Sequence, residues 1–127
     1  FIMKRLAVFL LGLASCNVCA STSDQSLMQA CTGCHAVRAS DLEGIGPSLV
    51  DIVNRPAGSL PDYPYSKALA EANFIWDIGT LRVWIQHSER MRPGTFMRYH
   101  NALTEAEIDR LLNLLSLSEN ILNEPTQ

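Results

Sequence analysis

The sequence predicts an all-α domain of three to five short helices joined by long loops, and three observations carry that prediction. Thr104-Glu105-Ala106-Glu107 reads as a capping box, and Ile108, Leu111, Leu112 and Leu115 follow it at helical spacing. Leu27, Ala30, Cys31 and Cys34 repeat the i, i+3, i+4, i+7 pattern of a one-sided helix. No βαβ alternation is visible, and the intervening stretches are rich in Gly and Pro. A length of 127 residues suits a single domain. An apolar fraction of 47% against 18% charged residues excludes a disordered chain. Ten basic against thirteen acidic residues, with no basic tract, exclude a nucleic-acid binder that works by charge.

The elements follow in chain order. Lys4 and Arg5 precede the apolar run Leu6-Ala7-Val8-Phe9-Leu10-Leu11-Gly12-Leu13-Ala14, with Met3 as the expected start, and residues 15–20 are small or mildly polar. A positive start, a short apolar run and a small-residue exit describe an export signal over residues 1–20. The run is too short to span a bilayer, which takes about 20 apolar residues. Val18-Cys19-Ala20 fits cleavage after Ala20, the favoured reading, whereas Leu13-Ala14-Ser15-Cys16 resembles a lipobox in which Cys16 is acylated. The lipobox reading leaves Cys19 unpaired in an oxidising compartment. Cleavage after Ala20 leaves residues 21–127 as a single domain. It removes two of the ten basic and none of the thirteen acidic residues, moving the formal charge from −3 to −5. A first helix capped by Asp24 or Ser26 leads into Cys31 and Cys34. A short helix is expected over 66–72, and a longer one over 80–87 with Leu81, Val83, Trp84 and Ile85 on its buried side. The C-terminal helix ends near 116–119, residues 120–127 form a tail, and loops occupy 39–64 and 88–101.

Four cysteines in two C-x-x-C pairs permit two disulfides, a metal tetrad or two unrelated pairs. The first pair, Cys16 and Cys19, is followed by Ala20 and supplies no histidine. The second reads Cys31-Thr32-Gly33-Cys34-His35, the C-x-x-C-H attachment signal of a c-type haem. Residues three and four apart lie on one helical face, so two thiols can add across the two vinyl groups of one porphyrin. His35 is then carried under the ring, where an imidazole nitrogen can take the iron. A thioredoxin-like disulfide would want βαβ patterning around it, and a zinc site would want a second ligand pair at metal spacing. One covalent haem c with its iron is therefore expected.

An electron-carrying haem iron takes ligands on both faces. Met28, Met91, Met97, His87 and His100 are the candidates, and Met28 lies too close to Cys31 to reach the far face. Met97 follows the Pro93-Gly94 turn, in a loop that can lay a sulfur on iron. Met91 or Met97 as plain core filler stays open on spacing alone.

The order of these pieces resembles class I cytochrome c of the mitochondrial and bacterial periplasmic branch. Cys31-Thr32-Gly33-Cys34-His35 is followed by Gly46-Pro47-Ser48-Leu49, Asn54-Arg55-Pro56-Ala57-Gly58, Tyr63-Pro64-Tyr65-Ser66-Lys67-Ala68-Leu69, Trp76 and Pro93-Gly94-Thr95-Phe96-Met97, over residues 24–117. The resemblance implies the cytochrome c fold, wrapped around one covalently bound haem, with the C-terminal helix crossing the N-terminal one. It implies His35 as proximal ligand, Met97 as distal ligand, and Pro47 as carbonyl acceptor for the imidazole. It places Arg55, Tyr65, Trp76 and Thr95 near the propionates, where a buried carboxylate needs donors or positive charge. Trp76 as ordinary core and Arg55 as a surface charge are the plain alternatives. The chain departs from the family with His87-Ser88 for an Asn-Pro pair, Trp84 for a tyrosine near the distal sulfur, Leu69 for an internal asparagine, and Phe96 for a lysine.

The function implied is a soluble, exported, periplasmic electron carrier, not an enzyme. It would shuttle single electrons between membrane or periplasmic redox proteins such as an oxidase, a reductase or a dehydrogenase, and would bind no nucleic acid. Membrane association would follow only if Cys16 is lipidated or the signal stays uncleaved. A haem ligand sensor or peroxidase-like protein with a labile distal ligand is the alternative, and a haem-free redox module using Cys31 and Cys34 as a disulfide is the third. Arg90, Arg92 and Arg98 flank Met97 as a small basic rim or as solvated loop charges.

Overall fold

A computed structural model describes residues 23–117. Residues 1–20, with the expected signal and Cys16 and Cys19, and the tail at 120–127 lie outside them. The described residues form four helices: α1 (Asp24–Thr32), α2 (Lys67–Ala70), α3 (Ile78–Met91) and α4 (Glu105–Ser116). Among them, the β-type pairing is the isolated antiparallel bridge between Pro56 and Ile75.

Three of the four described helices, α1, α3 and α4, start where a side chain takes a free backbone N–H. Ser23, rather than Asp24 or Ser26, caps α1: its hydroxyl accepts from the Ser26 N–H at 3.2 Å. Asp24 falls in the first turn instead, and its carboxylate receives Arg110 of α4 at 2.5 Å. α3 begins earlier than expected because Asp77 and Thr80 form a reciprocal capping box. It also runs on to Met91, past one non-helical residue, His87, and stops ahead of Pro93. Its buried stripe is Leu81, Trp84, Ile85 and Ser88, and Val83 is 45% exposed. At 100° per residue, position 83 lies well round the helix from 81 and 85, so its expected burial is corrected. The Thr104–Glu107 capping box of α4 forms as read, with the Thr104 N–H donating to Glu107 at 2.9 Å.

α1 and α3 both pack on α4. Leu27 of α1 and Ile108, Leu111 and Leu112 of α4 are the most deeply buried side chains, each at or below 2% exposure. Burying such a side chain contributes roughly 1.5–3 kcal/mol. The surface pairs Arg82–Glu105, Arg82–Asp109 and Arg110–Asp24 are screened by solvent and contribute little, so apolar burial governs this junction. The loops are held by backbone bonds to the segment that follows α1 and to one another. The Gly46 N–H donates to the Cys34 carbonyl at 2.7 Å, and the Leu49 N–H to Ala36 at 2.8 Å. Asn54 donates to the Trp76 carbonyl at 2.8 Å, and Trp76 in turn donates to the Arg55 carbonyl at 2.9 Å.

Candidate haem site

The helices and loops leave a cavity of about 450 Å³, a size that suits a ligand of several fused rings. Nine residues singled out in the sequence line it: Cys31, Cys34, His35, Pro47, Arg55, Tyr65, Trp76, Thr95 and Met97.

On the α1 side, the last turn delivers the motif. α1 ends at Thr32, and both the Cys34 and the His35 N–H groups bond back to the Cys31 carbonyl at 3.0 Å, continuing the turn. Cys31 and Cys34 are not bonded to each other. Burial, with Cys34 nearby, pushes the Cys31 thiol up to about 11. No cluster of three or more His, Cys, Asp or Glu side chains suited to a metal ion occurs among the described residues. The metal-tetrad reading also needs Cys16 and Cys19, which lie outside the described residues.

His35 Nδ1 donates to the Pro47 carbonyl at 2.7 Å, since a carbonyl can only accept. That bond fixes the tautomer and leaves the Nε2 lone pair free. Burial holds the imidazole below its ordinary pKa, with the Pro47 bond acting the other way; the neutral form is the one that ligates metal. Gly46 lets the Pro47 strand approach the ring. A Cβ there would sit 2.6 Å from Nδ1, well inside contact distance.

Met97 lines the same cavity. Arg92-Pro93-Gly94-Thr95 is a β-turn closed by the Thr95 N–H on the Arg92 carbonyl at 3.2 Å. Gly94 takes the positive φ of 88° that the turn requires. Met97 is half-buried, and its sulfur accepts the Trp84 indole N–H at 2.9 Å. Trp84, which replaces the expected tyrosine, thus still supplies a donor to the sulfur. Met91 is half-buried against the main core, Met28 is in that core, and His87 and His100 are exposed; none of the four lines the cavity.

The polar wall is fitted for an acid. Arg55, half-buried, donates to the Ser48 carbonyl at 2.5 Å and to the Val50 carbonyl at 3.0 Å, and burial lowers its pKa despite nearby Tyr65 and Asp51. The plain reading of Arg55 as a surface charge does not hold. Trp76 and Thr95 are buried, at 6% and 3% exposure. Sequence reasoning missed Ser66. It precedes α2, yet its hydroxyl makes no cap bond, has no partner, is buried and faces the cavity. A buried unpaired hydroxyl is costly, and a carboxylate in the cavity would satisfy it. Its place just ahead of a short helix, beside Tyr65, was the available signal. Apolar side chains such as Leu69, Ile52 and Leu81 fill most of the remaining wall. The donor set and the apolar wall together fit a porphyrin with two propionates.

Of the three arginines around Met97, the Arg92 guanidinium lies 5.5 Å over the Phe74 ring and Arg98 reaches Glu89 at 3.7 Å. Phe96 and Ile45, 73% and 84% exposed, stand at the cavity's edge.

No protein-family profile matches the chain. Cytochrome c2 of Rhodoblastus acidophilus is 32% identical over 92 residues, covering 72% of this chain and 86% of that protein. Cytochrome c-550 of Bradyrhizobium diazoefficiens is 33% identical over 86 residues, covering 68% and 63% respectively. Among solved structures, cytochrome cH from Methylobacterium extorquens superposes with a TM-score of 0.64 at 26% identity, over 72% of this chain and 91% of that one.

Proposed function

Since this chain belongs to the class I c-type cytochromes, a family of electron carriers with one covalently attached haem c, we propose that His35 and Met97 ligate its iron from the two sides. The observation that carries this reading is a pair of preset side chains lining one cavity: His35 held by Pro47 at 2.7 Å and Met97 held by Trp84 at 2.9 Å. When bound, the haem supplies a one-electron iron couple. The residues of the chain do the rest. Cys31 and Cys34 anchor the ring, and Pro47 holds the imidazole in its ligating tautomer and raises its basicity. Arg55, Tyr65, Ser66, Trp76 and Thr95 receive the propionates. Met97, a softer ligand than a second imidazole, raises the potential. The apolar wall keeps water out.

With both iron positions taken, the reduced protein should not bind carbon monoxide at neutral pH. Ready binding would instead favour the ligand-sensor or peroxidase-like reading.

Export through residues 1–20, with cleavage after Ala20, puts the carrier in the periplasm, where membrane or periplasmic redox proteins give and take its electrons. Arg98 pairs with Glu89, while Arg92 keeps its charge over the Phe74 ring, so the basic rim beside Met97 is small and steers docking only weakly. Electron-transfer rates with an oxidase should therefore vary little with salt; a steep fall with rising salt would contradict this.

A further inference from the structure

Ser88 stands where the motif order assigns no role, yet it is only 2% exposed. A serine inside a helix usually turns its hydroxyl back to the carbonyl four residues earlier. Ser88 does not: its hydroxyl donates outward, to the Met97 carbonyl, at 2.8 Å. The residue before it explains the change of direction. His87, at φ −151° and ψ 57°, is the non-helical residue inside α3, and it offsets the final turn from the rest of the helix. The Ser88 carbonyl meanwhile accepts the Arg92 N–H at 2.9 Å. Ser88 thus holds both ends of the 92–97 loop, Arg92 through its carbonyl and Met97 through its hydroxyl. Within the loop, Thr95 bonds to Arg92 at 3.2 Å and the Met97 N–H reaches the Thr95 hydroxyl at 3.4 Å. Trp84, one turn earlier on α3, takes the sulfur itself.

We propose that Ser88 is a positioning residue for the distal ligand. Its hydroxyl latches the Met97 backbone to α3 and keeps the sulfur where it can stay on the iron. The proposal rests on the reading of Met97 as that ligand. A latch acts on the balance between sulfur-on and sulfur-off states, and an external ligand binds only the second. Its apparent affinity therefore scales with the sulfur-off fraction.

The test is a titration of the oxidised, haem-loaded protein with imidazole, followed by loss of the methionine–iron absorption band. Removing one hydrogen bond in Ser88→Ala should tighten imidazole binding about five- to ten-fold. Ser88→Thr keeps the hydroxyl and should bind within about two-fold of the wild type. Unchanged affinity in Ser88→Ala overturns the latch. Equal tightening in both variants also overturns it, by assigning the effect to packing rather than to the hydroxyl. Met97→Ala, titrated alongside and followed by the shift of its main haem absorption band, separates the two readings: if it binds imidazole no more tightly than the wild type, Met97 is not the ligand, whatever Ser88 does.

Discussion

Met97 is held by three groups of its own chain. The Trp84 indole takes its sulfur, the Ser88 hydroxyl takes its carbonyl, and the Thr95 hydroxyl takes its N–H. An N–H donated to a thioether draws electron density from the sulfur, which then gives less to oxidised iron, so the reduced state gains. Trp84→Phe keeps the bulk and removes the donor. It should lower the reduction potential by about 20–40 mV, taking ~0.5–1 kcal/mol for the bond and about 59 mV per tenfold for one electron. An unchanged or raised potential by protein-film voltammetry would show that the indole does not tune the sulfur. At this scale the chemistry-bearing residues were legible because they come in spaced motifs: Cys31, Cys34 and His35 in one, Thr95 and Met97 in another. Ser66 and Ser88 were not, because a lone serine has no spacing. Only burial, and the bond each makes or lacks, marks it out.

At the scale of the element, side-chain capping decides where α1, α3 and α4 begin. Asp77 accepts the Thr80 N–H at 2.7 Å and gives its own N–H to the Thr80 hydroxyl at 2.9 Å. The Thr80 backbone bond, then its hydroxyl, holds the Asp77 carboxyl below the ordinary carboxylate value. A carboxylate depressed in the folded state stabilises that state above its unfolded pKa of about 3.9, and the contribution fades as pH falls through the lower folded value. The stability gap between the wild type and Asp77→Asn should be widest near neutral pH and close below about pH 4. Urea melts at several pH values measure it, and a gap that grows on acidification would contradict the assignment. The α4 start was legible because Thr104 and Glu107 are the single matched pair ahead of an apolar stripe. At α1 the expected cap was Asp24 or Ser26 and the observed one is Ser23, because three capping-type residues fall within one turn. α3 outran its expected end because the turn at Pro93-Gly94 stops a helix without stating how far short of it the helix ends. The bend at His87 carries no Pro or Gly signal at all.

For the whole molecule, the cavity of about 450 Å³ explains why so much loop is compatible with so short a chain. A haem c anchored at Cys31 and Cys34, as proposed above, supplies the core around which the loops at 39–64 pack. The apolar protein core runs from the packing of α1 and α3 on α4 into the cavity wall, since Leu81, Trp84, Ile85 and Leu111 belong to both. The helical class, the packing of α1 on α4 and the nine site residues in the lining were visible in the order of the motifs; Ser66 was not. The engagement of Arg92 by Phe74 and of Arg98 by Glu89 was not, because partners far apart in sequence meet only through the fold. The central claim is that this cavity holds one covalent haem c with His35 and Met97 on its iron. The visible absorption spectrum of the purified protein, in both redox states, tests it most directly. The account predicts the sharp split bands of a low-spin c-type haem when reduced and a methionine–iron band when oxidised. A high-spin spectrum lacking that band in the oxidised protein would contradict it.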